Sequence, residues 1–164
     1  MLHRDPGIYN TAHDFLRIYL NKYKYALVLL DKEGCGSHQN ANTIAQEIQS
    51  RMNNSGWGNR SKVIVIDPEL EIWVWSDSPE VSACIGWNDI ELRNWLHAEG
   101  YLLSNVHKPS NPKLVFETAL KLKRKPRSSS IYGKLAERVG FDRCTDMAFQ
   151  NLKASLQNWF PNSS

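Results

Sequence analysis

Two pairs of closely spaced carboxylates carry the clearest chemical signal in the sequence: Asp31 with Glu33, and Glu69 with Glu71. The first pair lies in Asp31-Lys32-Glu33-Gly34-Cys35-Gly36, directly after the apolar run Tyr25 to Leu30. At a strand end, carboxylates at this spacing can turn to a common point in the loop. The glycines let the backbone approach a ligand closely. Hard cations such as Mg²⁺ take oxygen ligands, keep several waters, and need only one or two carboxylates beside substrate phosphates. The competing reading is a polar turn with a glycine at positive φ. The second pair lies in Asp67-Pro68-Glu69-Leu70-Glu71-Ile72-Trp73. Its carboxylates alternate with apolar residues, so an extended segment would present both on one face. Like charges that close are costly unless a cation or an arginine compensates them. Asp77 follows shortly after. A solvated face beside an apolar one is the alternative.

Other groups are less specific. Cys35, flanked by glycines, is a candidate nucleophile, but His3, His13, His38, His97 and His107 are scattered and none is marked as its base. A buried thiol is the better reading. Lys113, Lys121, Lys123, Arg124, Lys125 and Arg127 form a basic stretch that can track a phosphate backbone. A solvated helix end explains it equally well. Trp57, in Ser55-Gly56-Trp57-Gly58, reads as exposed.

The elements that must position these groups follow from periodicity. Asn10 to Tyr23 reads as a helix with Phe15, Leu16, Tyr19 and Leu20 on one stripe. Tyr25 to Leu30 suits a strand buried on both faces. Thr43 to Met52 reads as a helix, and Lys62 to Ile66, rich in β-branched residues, as a second strand. Strand, helix, strand implies a right-handed crossover and a parallel pair. Asp31 and the segment from Asp67 to Glu71 then share the C-terminal sheet edge, where open α/β sheets bind ligands. The segment Glu71 to Ser76 is aromatic and apolar. Helices are expected over Pro79 to Ile85, Asn88 to Glu99, from Pro112 through Leu122, Ile131 to Val139 and Thr145 to Trp159, with a loop over Lys123 to Ser130.

The 164 residues fit one domain, 1–164, with an α/β part over about 1–87 and a helical part over about 88–160. An apolar fraction of 41% and a charged fraction of 23% suit a globular core. The net charge of +3 is too mild to argue nucleic-acid binding alone. No apolar run has membrane-spanning length. No secretory signal is visible at the start of the sequence. Three widely spaced cysteines argue against a disulfide framework and point to a reducing cytoplasm.

Ala26 to Gly36, Val63 to Asp77, Asn111-Pro112-Lys113 and Asp146 to Leu156 together resemble the small Toprim-like proteins of bacterial defence and mobile-element gene clusters. In those relatives an apolar strand ends in Asp-x-Asp or Asp-x-Glu, often followed by Cys, and a second strand leads into Glu-x-Trp and a closing Asp. The resemblance spans roughly residues 24 to 156. It is closest at the two strand ends, and it extends to an accessory protein of a methylation-associated anti-phage system. It implies a Toprim-like α/β fold: a short parallel sheet flanked by helices, with a helical C-terminal part. It also implies a Mg²⁺ or Mn²⁺ site for phosphodiester chemistry on DNA or RNA. Asp31, Glu33, Glu69, Glu71 and Asp77 would hold the metal, with Glu33 and Glu71 in catalysis. The family's opening strand ending in Glu-Gly is missing. The chain begins with His3-Arg4-Asp5-Pro6-Gly7 and passes to a helix. Either Asp5 or Glu33 substitutes, or the machinery is incomplete and the chain is a non-catalytic subunit that binds other proteins of a defence system.

Overall fold

The computed structural model describes residues 7–76, 78–103, 108–140 and 144–161. Among these, eight helices and two strands follow in the order α1 (Gly7–Arg17), β1 (Ala26–Asp31), α2 (Ala41–Asn54), β2 (Ser61–Ile66), α3 (Glu71–Val74), α4 (Pro79–Ile85), α5 (Asp89–Ala98), α6 (Pro112–Leu122), α7 (Ser129–Arg138) and α8 (Met147–Trp159). No helix among them is long and apolar enough to cross a membrane. They group into two compact units. The first runs to Glu69 and takes back the chain from Met147; the second is Leu70–Asp146.

The first unit is built on the expected crossover. β1 and β2 pair in parallel, with Val28 opposite Val63 and Asp31 opposite Ile66, and among the described residues they are the only two strands of the sheet. β2 is buried on both faces from Val63 to Ile66, which explains its unbroken run of β-branched residues. α2 starts where Asn40 accepts a hydrogen bond from the Thr43 amide at 2.9 Å, satisfying one otherwise orphaned N–H. Its Ile44, Ile48 and Met52 pack against Val28, Leu30, Val63 and Val65 in one apolar core. α8 lies against β2, and its Trp159 stacks on Tyr25 with ring centroids 4.7 Å apart.

Trp57 differs from expectation. It belongs to this core and is only 1% exposed. The chain makes a short 3₁₀ turn over Gly58–Arg60 immediately after it, and Arg60 covers the indole at 5.1 Å. The flanking glycines here shape a tight turn that tucks the ring inward rather than displaying it.

The second unit is helical. Ser78, Asn88 and Asn111 cap α4, α5 and α6 through their side chains. Pro79 and Pro112 occupy first-turn positions, where proline loses no helical hydrogen bond. Phe116, Ala119 and Leu120 of α6 are fully buried among Val81, Ile85, Leu92 and Leu135. α4 ends at Gly86 in the left-handed region, at φ 87°. The Lys125 side chain crosses this glycine so closely that an added Cβ would lie 2.7 Å from its Cε. Lys125 Nζ then donates to the Cys84 carbonyl at 3.2 Å, placing a cation on the negative end of the α4 dipole.

Candidate functional site

The two strand ends meet as the sequence implies, within the first unit. Beyond β1, the Lys32 amide donates to the Ile66 carbonyl and the Glu33 amide to the Pro68 carbonyl, both at 2.8 Å. The two loops therefore remain zipped after the strands finish. Lys32 Nζ forms an ion pair with Asp67 Oδ2 at 2.9 Å. Glu33 is exposed. Glu69 is buried, and both it and Asp31 are held by interactions of their own. Cys35 is buried, its thiol facing the Ser37 carbonyl at 3.9 Å, which fits a structural thiol rather than an accessible nucleophile.

Glu71 belongs to the second unit and does not lie on an extended segment. Glu71–Val74 is a single helical turn, α3, so the alternation with Glu69 does not carry over into a shared strand face. Glu71 is 2% exposed. Its Oε1 accepts from Arg127 Nη2 at 2.8 Å and from the Tyr132 hydroxyl at 2.6 Å. Arg127 Nε in turn donates to the Tyr132 oxygen at 2.9 Å, closing a three-membered ring of hydrogen bonds. Arg127 Nη1 reaches Glu117 Oε1 at 3.2 Å. The Tyr132 ring packs on Phe116 with centroids 5.5 Å apart, anchoring the ring of polar groups on the apolar core.

Burial, and next the hydrogen bond to Glu71, push the Tyr132 hydroxyl up to about 12 from its ordinary 10.0. The neutral hydroxyl, the form that donates to Glu71, is thus favoured in the folded state. A group whose folded value is raised contributes its stability fully below the unfolded value and loses it as pH rises through the folded one. We expect the stability advantage of the wild type over Tyr132→Phe to be constant below about pH 10 and to shrink between about 10 and 12. Denaturant unfolding of both proteins across that range measures it. A gap that does not narrow would place the hydroxyl outside the network.

The basic stretch is largely committed to internal partners. Arg127 holds Glu71 and Glu117. Lys123 Nζ pairs with Glu91 Oε1 at 2.7 Å and sits over the Trp87 ring at 4.2 Å, which holds the Glu91 carboxyl below its usual value. Lys125 caps α4. Lys113 also has partners. Lys121 and Arg124 are exposed. Of the six expected nucleic-acid contacts, Lys123, Lys125 and Arg127 therefore serve the fold.

Asp77, Asp5, His3 and His107 lie outside the described residues. Among the described residues, no group of three or more His, Cys, Asp or Glu side chains is placed to hold a metal ion. A divalent cation needs carboxylate oxygens that can turn to it, and Glu71 Oε1 is already engaged by a guanidinium and a hydroxyl. In this arrangement Glu71 Oε1 serves Arg127 and Tyr132. Sequence reasoning named both Glu71 and Arg127 but gave them separate roles, and it missed Tyr132 and Glu117. The available signal was the need for a compensating arginine beside the acidic pair. Set against known protein families, curated proteins and solved structures, the chain finds no match.

Proposed function

We propose that this chain is a non-catalytic, protein-binding component of a bacterial anti-phage defence system, working in the cytoplasm. It is a reduced Toprim-like scaffold in which the acidic residue of the Glu-x-Trp segment has turned to structural use. The defence context rests on the resemblance of the two strand-end motifs. The non-catalytic reading rests on one observation: Glu71, the acidic residue of the Glu-x-Trp segment, is buried and bound to Arg127 and Tyr132. The internal use of Lys123, Lys125 and Arg127 supports it from the other side, since these are three of the six cations that could track a phosphate backbone. Binding to other proteins also suits a surface on which Ile8, Phe15 and Ile18 stand exposed along one stretch of chain. Mg²⁺ and Mn²⁺ have no part in this reading. Thermal unfolding and nucleic-acid cleavage, each with and without these ions, test it, and neither is expected to respond. Metal-dependent cleavage by the purified chain would overturn it and restore Asp31, Glu33 and Glu69 as metal ligands.

A further inference from the structure

Among the described residues, β1 pairs with a strand, β2, on one side only. The bond from the Lys32 amide to the Ile66 carbonyl fixes its orientation. Backbone groups in a strand point alternately to either side, so those of Ala26, Val28 and Leu30 face β2 and those of Leu27 and Leu29 face the other edge. No strand among the described residues covers that edge. Beside it runs an apolar groove of about 370 Å³, lined by Ile8, Thr11 and Phe15 of α1 together with Leu27 and Leu29. Phe15 is 63% exposed there.

Edges of monomeric proteins are usually blunted by lysine, proline or a bulge. From Ala26 to Leu30 this edge carries none of these. Its charges lie at its two ends and differ in net sign. Lys22 and Lys24, both exposed, precede the strand; Asp31, Lys32 and the exposed Glu33 follow it, and because Lys32 is paired with Asp67 that end is net acidic.

We infer that this edge is the contact surface for a second copy of the same chain, with the two β1 strands antiparallel about a two-fold axis. The charge pattern selects both the occupant and its direction. An antiparallel pair brings the lysine end of each copy beside the acidic end of the other, twice over by symmetry. A parallel pair would set like charges together. Antiparallel pairing also lets the edge-facing groups of Leu27 and Leu29 bond to their counterparts. It joins two short sheets into one of four strands, a more usual size. The groove beside each strand receives apolar side chains from the other copy. The inference uses only the first unit and is independent of whether the chain cuts nucleic acid.

Sedimentation velocity of the full chain over a range of concentrations tests it, with far-UV circular dichroism to check folding. The wild type is expected to dimerise. Lys24→Glu should weaken the dimer about tenfold, because two symmetry-related attractions become repulsions. Adding Glu33→Lys to that variant should restore it. Phe15→Glu, in the groove, should also weaken it. A wild type that stays monomeric throughout would overturn the inference. So would a dimer indifferent to Lys24→Glu and Phe15→Glu, or a double charge swap no tighter than the single variant.

Discussion

Replacing Glu71 by alanine is expected to destabilise the protein by about 2–4 kcal/mol, with no metal involved. The change removes a carboxylate that is 2% exposed and leaves the Tyr132 hydroxyl without its acceptor. Part of the cost is recovered because Arg127, whose side chain is 44% exposed, can turn to water. The converse change should be at least as severe. Arg127→Ala leaves Glu71 buried without its cation, the situation that costs about 3–5 kcal/mol when a buried pair is broken from one side. The double variant should cost less than the sum of the two, with a coupling of about 1–3 kcal/mol. Urea unfolding of the four proteins measures the cycle. Additive losses would mean that the two side chains do not depend on each other. Adding a chelator should leave all four midpoints where they are.

Trp57→Ala should cost about 3–5 kcal/mol, the range for emptying an aromatic site in a core. The ring is 1% exposed and lies among Ile44, Ile48 and Met52. Trp57→Phe is the informative control. The indole Nε1 is buried and finds no hydrogen-bond partner among the described residues, so an unsatisfied donor already weakens this site. Phenylalanine keeps much of the apolar volume and removes that donor, and it should cost clearly less than alanine. Unfolding followed by circular dichroism separates the two variants. Equal losses would mean that the ring volume contributes little and that the site depends on the indole as such.

The parallel pair and most helices were legible because their signals are local. Val63 to Ile66 is an unbroken apolar, β-branched run that suits a doubly covered strand, and it forms the body of β2. The helices expected over Pro79 to Ile85, Asn88 to Glu99 and Pro112 to Leu122 form, and the structure starts them with side-chain caps from Ser78, Asn88 and Asn111. Two kinds of feature escaped. α3 did, because Glu71 to Trp75 is aromatic and β-branched and reads as extended. A four-residue helix has too little periodicity to show itself, and tertiary burial decides its form. Trp57 did, because the glycines around it suggest a surface loop; its burial depends on packing against α2.

The candidate site was half legible for the same reason. The sequence shows that a carboxylate at position 71 among apolar neighbours needs a positive partner. It does not show which. Arg127 lies 56 residues further along the chain, and only the packing of α6 and α7 in the second unit brings it and Tyr132 to Glu71. A metal ion and an arginine answer the same electrostatic requirement, so the pattern alone leaves both open.

The most direct measurement is the melting temperature of the wild type and of Glu71→Gln, with and without Mg²⁺ or Mn²⁺, with nucleic-acid cleavage assayed on the same samples. A ligand that binds only the folded chain raises its stability, by about 2.7 kcal/mol at a hundredfold excess over its dissociation constant. With Glu71 committed to Arg127 and Tyr132, the variant should melt below the wild type, neither should shift with metal, and DNA and RNA should remain intact. A metal-induced rise in the wild type that is lost in Glu71→Gln, accompanied by cleavage, would contradict the structural role of this carboxylate and establish it as a metal ligand.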